Sequence, residues 1–243
     1  MIIEKETILE AWEKFSKEFD REKLEEEIEL VGNAFNVFES EVLYSMIRLV
    51  KPKFIVEMSP DKGFTTNIIL KACNKNRNKC EIYSFDLHAG SKRFDVETGK
   101  VTRTLIEGSA EEQLKDHYIE NCDFMFIDSE HTYSFGQWYS ENVLPKLKNN
   151  VPIWVHDWPM YESNGAPCNH TPETYEGEPD KQGEPRAVKE FFVKNKLGKP
   201  IMNCTDVLKE QGKEYLDGET GLSASQILVR TIKDESNSNN TES

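Results

Sequence analysis

Lys53-Phe54-Ile55-Val56-Glu57-Met58-Ser59-Pro60-Asp61-Lys62-Gly63-Phe64-Thr65-Thr66 is the stretch that decides the fold. A β-branched and aromatic run, Phe54 to Val56, ends in an acid. A turn holding Pro60 and Gly63 follows, and Thr65-Thr66 opens an apolar segment that reaches Cys73. Strand, tight turn and helix are the expected elements. In an α/β sheet a ligand sits in the crevice at the carboxyl end of such a strand.

The turn also restricts the ligand. Gly63 is its one glycine, whereas a dinucleotide site wants three glycines and a positive helix start to hold a pyrophosphate. Glu57 and Asp61 stand here instead, and their charges repel phosphates. A phosphate-free nucleoside with a cationic centre fits better. S-adenosylmethionine, with its ribose, sulfonium and amino group, is such a ligand.

Outward from this stretch the pattern repeats. Glu81 to Leu87 reads as a strand with Asp86 near its end, and Val101 to Ile106 precedes Glu107-Gly108-Ser109. Phe124 to Ile127 ends at Asp128, and Val151 to Val155 ends at His156-Asp157. Helical stretches, Thr65–Asn74, Ala110–Tyr118 and Phe135–Leu147, separate most of them. Pro200–Asn203 and Gln226–Ile232 close the chain as strands, with a helix at Arg186–Lys194. The alternation predicts an α/β, doubly wound, Rossmann-like sheet of seven mostly parallel strands.

Ahead of it, Glu6–Leu30 is expected to be helical, with Ile8, Leu9, Trp12, Phe15 and Phe19 along one face. That stripe caps the core, covers a pocket as a lid, or makes a homodimer contact. Glu39–Leu49 is a second amphipathic helix, stopped by Pro52. Between Trp158 and Pro185 the pattern gives way to a loop with five prolines, beside the ligand crevice.

The chain has 243 residues, 37% of them hydrophobic, and a net charge of −14, as expected of one globular domain. Nucleic acid is disfavoured as a partner because it requires a basic footprint. No apolar run reaches membrane-spanning length and no signal peptide is evident, so a cytoplasmic protein is expected. The five cysteines form no C-x-x-C pair, in keeping with a reducing compartment, and Cys73, Cys122 and Cys204 read as core residues.

Glu57, Asp86, Asp128 and Asp157 thus stand at four strand ends. With them, the sequence resembles the class I S-adenosylmethionine-dependent methyltransferases, most of all the small-molecule and sugar O-methyltransferase group with its cephalosporin-hydroxylase-like relatives. The stretches that carry the likeness are Val56–Thr66, Ile82–Asp86, Asp123–Tyr133, Val155–Asp157 and Gly183–Phe191, within residues 40–232. The resemblance implies a methyltransferase domain over 39–233 with an antiparallel last strand; the apolar spacing ahead of it predicts a helical extension over 1–38, and the Ser/Asn-rich end a disordered tail over 234–243.

It also implies roles. Glu57 with the turn Met58, Ser59, Gly63 and Thr65 would cradle the methionine portion. Asp86, followed by Leu87, would accept from both ribose hydroxyls, because a carboxylate has two oxygens to offer a diol. Ser109 and Ala110 would flank adenine, and Asp128 would sit near the sulfonium and the acceptor. Ser59 departs from the family's turn glycine, and Ser109 stands where an Asp is common.

Methylating an alcohol requires removal of a tightly held proton, by a base or with a divalent metal. Asp128, His131 and Asp157 are the candidate catalytic residues. In metal-dependent relatives Mg²⁺ is held by acids matching Asp128 and Asp157, but the third position is Trp158, which cannot ligate. His131 is the alternative, as a substitute ligand or as a general base. His156 reads as structural, and Trp158, Tyr161 and Tyr175 are candidates to stack on an acceptor.

The expected activity is therefore O-methylation of a small-molecule or sugar hydroxyl. A catalytically degraded scaffold on the same fold is the alternative. An oxidoreductase is disfavoured by the missing glycines.

Overall fold

The computed structural model describes residues 1–18, 35–88, 99–158, 183–210 and 225–231. Its sheet has seven strands in the order β3-β2-β1-β4-β5-β7-β6. They are β1 Phe54–Met58, β2 Cys80–Asp86, β3 Val101–Glu107, β4 Phe124–Ile127, β5 Pro152–Val155, β6 Gly198–Asn203 and β7 Gln226–Arg230. β1 pairs in parallel with β2 and β4, β2 with β3, and β4 with β5. β7 runs antiparallel to both β5 and β6, as the resemblance implied.

Apart from Glu57, the central strands β1, β4 and β5 are apolar because both faces are covered, the usual state of parallel strands. Alternate residues of β1, β4 and β5 feed two cores. Ile55, Phe124, Phe126 and Trp154 face one side and pack with α2 (Val37–Val50) and α3 (Phe64–Asn76). Val56, Met58, Met125, Ile127, Ile153 and Val155 face the other, with α5 (Asp116–Asn121), α6 (Tyr133–Asn142) and α7 (Glu184–Val188). Each fully buried phenylalanine contributes roughly 1.5–3 kcal/mol. Cys73, Cys122 and Cys204 are core residues, as expected, and Cys80 joins them. Cys168 lies outside the described residues.

α1 (Lys5–Phe15) buries Ile8 and Ala11, and the Trp12 indole donates to Glu41 of α2 at 2.9 Å. The α-helix ends at Phe15 and a 3₁₀ turn takes Ser16–Glu18. The rest of the expected Glu6–Leu30 helix, most of the loop after Trp158 and the tail lie outside the described residues.

Some elements differ from expectation. Ala110–Tyr118 is two short helices, α4 (Ala110–Gln113) and α5, because Leu114 leaves helical geometry with ψ 97. Phe135–Leu147 is α6 and a separate 3₁₀ turn, Leu144–Lys146, whose Pro145 cannot continue the α-helical ladder. The helix expected at Arg186–Lys194 is α7 passing into a π turn, Lys189–Val193. α8 (Cys204–Glu210) was not anticipated. Among the described residues no helix is long and apolar enough to cross a membrane.

Candidate functional site

The turn after β1 is held by left-handed backbone at Ser59 (φ 58), Asp61 (φ 45) and Gly63 (φ 82). Ser59 therefore follows a glycine-like path despite its side chain, at a cost of about 1–2 kcal/mol. The turn is tied down on both sides. The Ser59 amide donates to the Phe85 carbonyl at 2.7 Å, and the Gly63 amide to Pro60 at 2.7 Å. The Asp61 amide reaches Asp86 Oδ2 at 3.1 Å, while the His88 amide holds Oδ1 at 2.8 Å. Asp86 is thus fixed beside the turn, with further lone pairs available to a ligand.

Glu57 and Met58 are sealed beneath this turn, both 0% exposed. The Glu57 carboxylate accepts from Thr66 Oγ1 at 2.8 and 2.9 Å and from Ser84 Oγ at 2.5 Å. Burial raises its pKa, opposed by Arg103 and these hydroxyls. Thr65 is buried as well and also turns its hydroxyl toward Glu57, at 3.4 Å. Ser109 caps α4, accepting from the Glu111 amide at 3.2 Å, and the neighbouring Gly108 amide donates to the Asp86 carbonyl at 2.8 Å. Ser109 and Ala110 therefore stand next to Asp86, beside exposed Leu87. An open cleft of about 380 Å³, counting its mouth, lies between the β1 turn and the end of β4, lined among others by Phe35, Pro60, Asp61, Phe64, Asp128 and His156.

At the ends of β4 and β5 the sequence-expected residues come together. His131 Nε2 lies 3.6 Å from Asp128 Oδ1 and 3.7 Å from Asp157 Oδ2. His156 Nδ1 approaches the same two acids from below, at 3.2 and 3.4 Å. His131 (φ 56) and Asp157 (φ 53) both take left-handed backbone, a conformation that recurs where function constrains the chain.

The electrostatics follow from this packing. Burial would raise the Asp128 carboxyl, but the two imidazoles outweigh it and hold it well below the usual carboxylate range. Asp157 moves the other way, raised by burial against the pull of the same imidazoles. His156, which burial would lower, is pushed up to about 10 by Asp128 and Asp157, with Glu39 adding to the effect. His131 is likewise raised, against burial, by Asp128 and Glu184. The acids of the cluster favour the protonated form of both imidazoles.

Glu184 is the residue that sequence reasoning missed. It is 0% exposed, its Oε2 lies 2.8 Å from His131 Nδ1, and its Oε1 accepts from the Tyr139 hydroxyl at 2.8 Å. Nothing in the spacing links it to His131, 53 residues earlier. Glu39 was missed too. It is buried on α2, receives the Ser225 hydroxyl at 2.7 Å and sits in the field of His156. Trp158, a stacking candidate, is instead packed into the core at 3% exposure. Tyr161 and Tyr175 lie outside the described residues.

Asp128, His131 and Asp157 each offer one ligand atom, all within 4.8 Å of one another. Two donors on one ion, each about 2.1 Å from it, lie roughly 3.0–3.5 Å apart. His131 lies close to that spacing from both acids, at 3.6 and 3.7 Å, and with the whole set within 4.8 Å the three side chains would have to draw together to close on a divalent cation.

Comparison with known proteins agrees with the fold. Residues 56–158 match the family model described as a methyltransferase domain. No curated protein matches the chain. Among solved structures, the SAH-bound methyltransferase PaMTH1 of Podospora anserina is similar with TM-score 0.52 at 15% identity, over 93% of this chain and 88% of that one. The O-methyltransferase TomG of Streptomyces achromogenes, in complex with SAM, gives TM-score 0.52 at 12% identity, over 96% and 92%. An O-methyltransferase from Bacillus cereus, in complex with SAH, gives 0.53 at 12%, over 86% and 90%. The matched segment runs from β1 through β5 and carries Asp86, Asp128, His131 and Asp157.

Proposed function

We propose that this methyltransferase moves the methyl group of S-adenosylmethionine to a hydroxyl on a small molecule or sugar. The observation that carries the reading is the meeting of a nucleoside-shaped strand end, Asp86 beside the β1 turn, with a proton-handling cluster two strands away at Asp128, His131 and Asp157. Asp86 holds the ribose hydroxyls, Ser109 and Ala110 border the adenine, and the turn Ser59–Gly63, supported from beneath by Glu57, receives the methionine portion.

The acceptor oxygen attacks the methyl carbon in line with the departing sulfur, and the carbon–sulfur bond breaks to leave S-adenosylhomocysteine. The hydroxyl proton passes to His131 Nε2, and Glu184 on the opposite nitrogen supports the charge that forms. Asp128 and Asp157 would hold the Mg²⁺ of metal-dependent relatives, which when bound supplies a Lewis acid for the acceptor oxygen. Because Asp128 and Glu184 raise the His131 pKa, the ring takes that proton only in its neutral form, so the rate is expected to rise with pH.

The test is incubation with S-adenosylmethionine, Mg²⁺ and a panel of sugars, phenols and aliphatic alcohols, with mass spectrometry for a product one methyl heavier. Wild type is expected to turn over at least one class, and Asp128→Asn to lose about 100-fold or more in kcat, the typical scale for removing a group that handles the proton. Cofactor binding without transfer to any acceptor would favour the scaffold alternative.

A further inference from the structure

β3 is a terminal strand of the sheet and exposes Thr102 and Thr104, yet it turns Arg103 inward to 8% exposure. We propose that Arg103 is a positioning residue for the cofactor: acting through Ser84 and Glu57, it clamps the two ends of the turn Ser59–Gly63. The proposal rests on the reading above, in which that turn receives the methionine portion.

The register puts the three groups on one face. Glu57 of β1 pairs directly with Ser84 of β2, and Arg103 of β3 pairs with Ile82, one alternation earlier. Arg103 Nε donates to Ser84 Oγ at 3.0 Å, and the Ser84 hydroxyl donates to Glu57 Oε2 at 2.5 Å. A hydroxyl has one proton to give and two lone pairs to receive, so Ser84 serves both neighbours at once. On the other side of the carboxylate stands Thr66, whose hydroxyl lies 2.8 Å from Oε1 and 2.9 Å from Oε2. Glu57, Ser84 and Thr66 are fully buried.

This chain of contacts grips the turn at both ends. Glu57 stands two residues before Ser59, and Thr66 lies in the first turn of α3, three residues after Gly63. One carboxylate therefore fixes the entry of the turn against its exit. Ser84 also adjoins Phe85, whose carbonyl receives the Ser59 amide at 2.7 Å. The clamp needs an acid that only accepts, because each neighbouring hydroxyl donates to it. Burial opposes that charge, and among the groups that counter burial Arg103 acts most strongly. Removing one member of a buried pair leaves the other charge uncompensated, whereas replacing both by neutral groups of similar size is tolerated far better.

That asymmetry supplies the test, made in the full chain with Arg103→Met, Glu57→Gln and the two together. Hydrogen–deuterium exchange of the peptide spanning residues 57–66 reads the turn without ligand, and calorimetry with S-adenosylhomocysteine reads the site. Val207→Ala, a core truncation on α8 beside the opposite edge strand β6, controls for lowered stability alone.

Arg103→Met is expected to speed exchange in the turn and to weaken S-adenosylhomocysteine about tenfold, and Glu57→Gln about threefold, with the double variant back within about threefold of wild type, a coupling of the size found inside one network. Val207→Ala is expected to lose stability with turn exchange and affinity unchanged. Losses that multiply in the double variant would overturn the proposal, as would wild-type exchange and affinity in Arg103→Met or equal loosening of the turn in Val207→Ala. Should Arg103→Met fail to fold, a double variant that folds and binds reads the same coupling, and a double variant that also fails would overturn it. A wild type that does not bind S-adenosylhomocysteine would instead count against the methyltransferase reading, with exchange of the turn still deciding the clamp.

Discussion

His156 is almost wholly buried, which alone would make it shed its proton, yet Asp128 and Asp157 push it up to about 10. The sign of its contribution to stability follows. A histidine whose folded pKa is raised stabilises fully below its ordinary value of 6.5, and that contribution is lost as pH rises through about 10. In metal-free protein its ring carbon shift should stay flat across neutral pH, and Asp128→Asn should lower the midpoint by about a unit or more. A wild-type midpoint near 6.5 would contradict the ion pairs as described. Ser59 is a second test at this scale. With φ 58, it should tolerate Ser59→Gly with a gain of up to about 1 kcal/mol, while Ser59→Val should lose more than about 1 kcal/mol in urea unfolding. These local features were unevenly legible. The acids at Asp86, Asp128 and Asp157 could be read because strand ends announce them. Glu57 stood out for the same reason, but its partners Thr66 and Ser84 sit on other elements, so its burial beneath the turn could not be seen. The departure at Ser59 proved to be compatible with the turn.

At the level of elements, the contact of α6 with α7 decides whether Glu184 reaches His131. Gly136→Ala places a methyl where Glu184 backbone already stands, so the two helices must separate. The expected cost is about 1–3 kcal/mol, the usual range for overpacking, measured by chemical denaturation. A silent substitution would mean that α7 is not seated as described. Sequence periodicity located α6 and the helix after the loop, but it joined segments that tertiary packing divides. Leu114 is 7% exposed and serves the core by leaving the helix, so apolar spacing across it mimicked continuity. α8 escaped notice because it follows β6 with no turn residue between Asn203 and Cys204. Pairing of α6 with α7, as between Tyr139 and Glu184, 45 residues apart, has no local signature at all.

For the whole molecule, the sheet was the most legible feature, since seven strand-like runs, four of them ending in acids, leave few alternatives to a doubly wound architecture. What composition could not convey is how charge concentrates. Four carboxylates, Glu39, Asp128, Asp157 and Glu184, and two imidazoles share one buried region of a chain with net charge −14. Such a region should bind a divalent cation and be stabilised by it. Saturating Mg²⁺ at 100 times Kd adds about 2.7 kcal/mol to the folded state, which in a chain of this size is roughly 5–10 °C in Tm. Wild type should show that shift and lose it with a chelator, and Asp157→Asn should lose most of it. Equal shifts in both would place the ion elsewhere. The claim on which the rest depends is that the crevice beside Asp86 receives a phosphate-free nucleoside cofactor. Calorimetric titration with S-adenosylhomocysteine tests it most directly. Wild type should bind in the micromolar range, about −8 kcal/mol, and Asp86→Ala about 10–100-fold more weakly. Absence of heat with wild type at millimolar ligand, or equal affinity in Asp86→Ala, would contradict it.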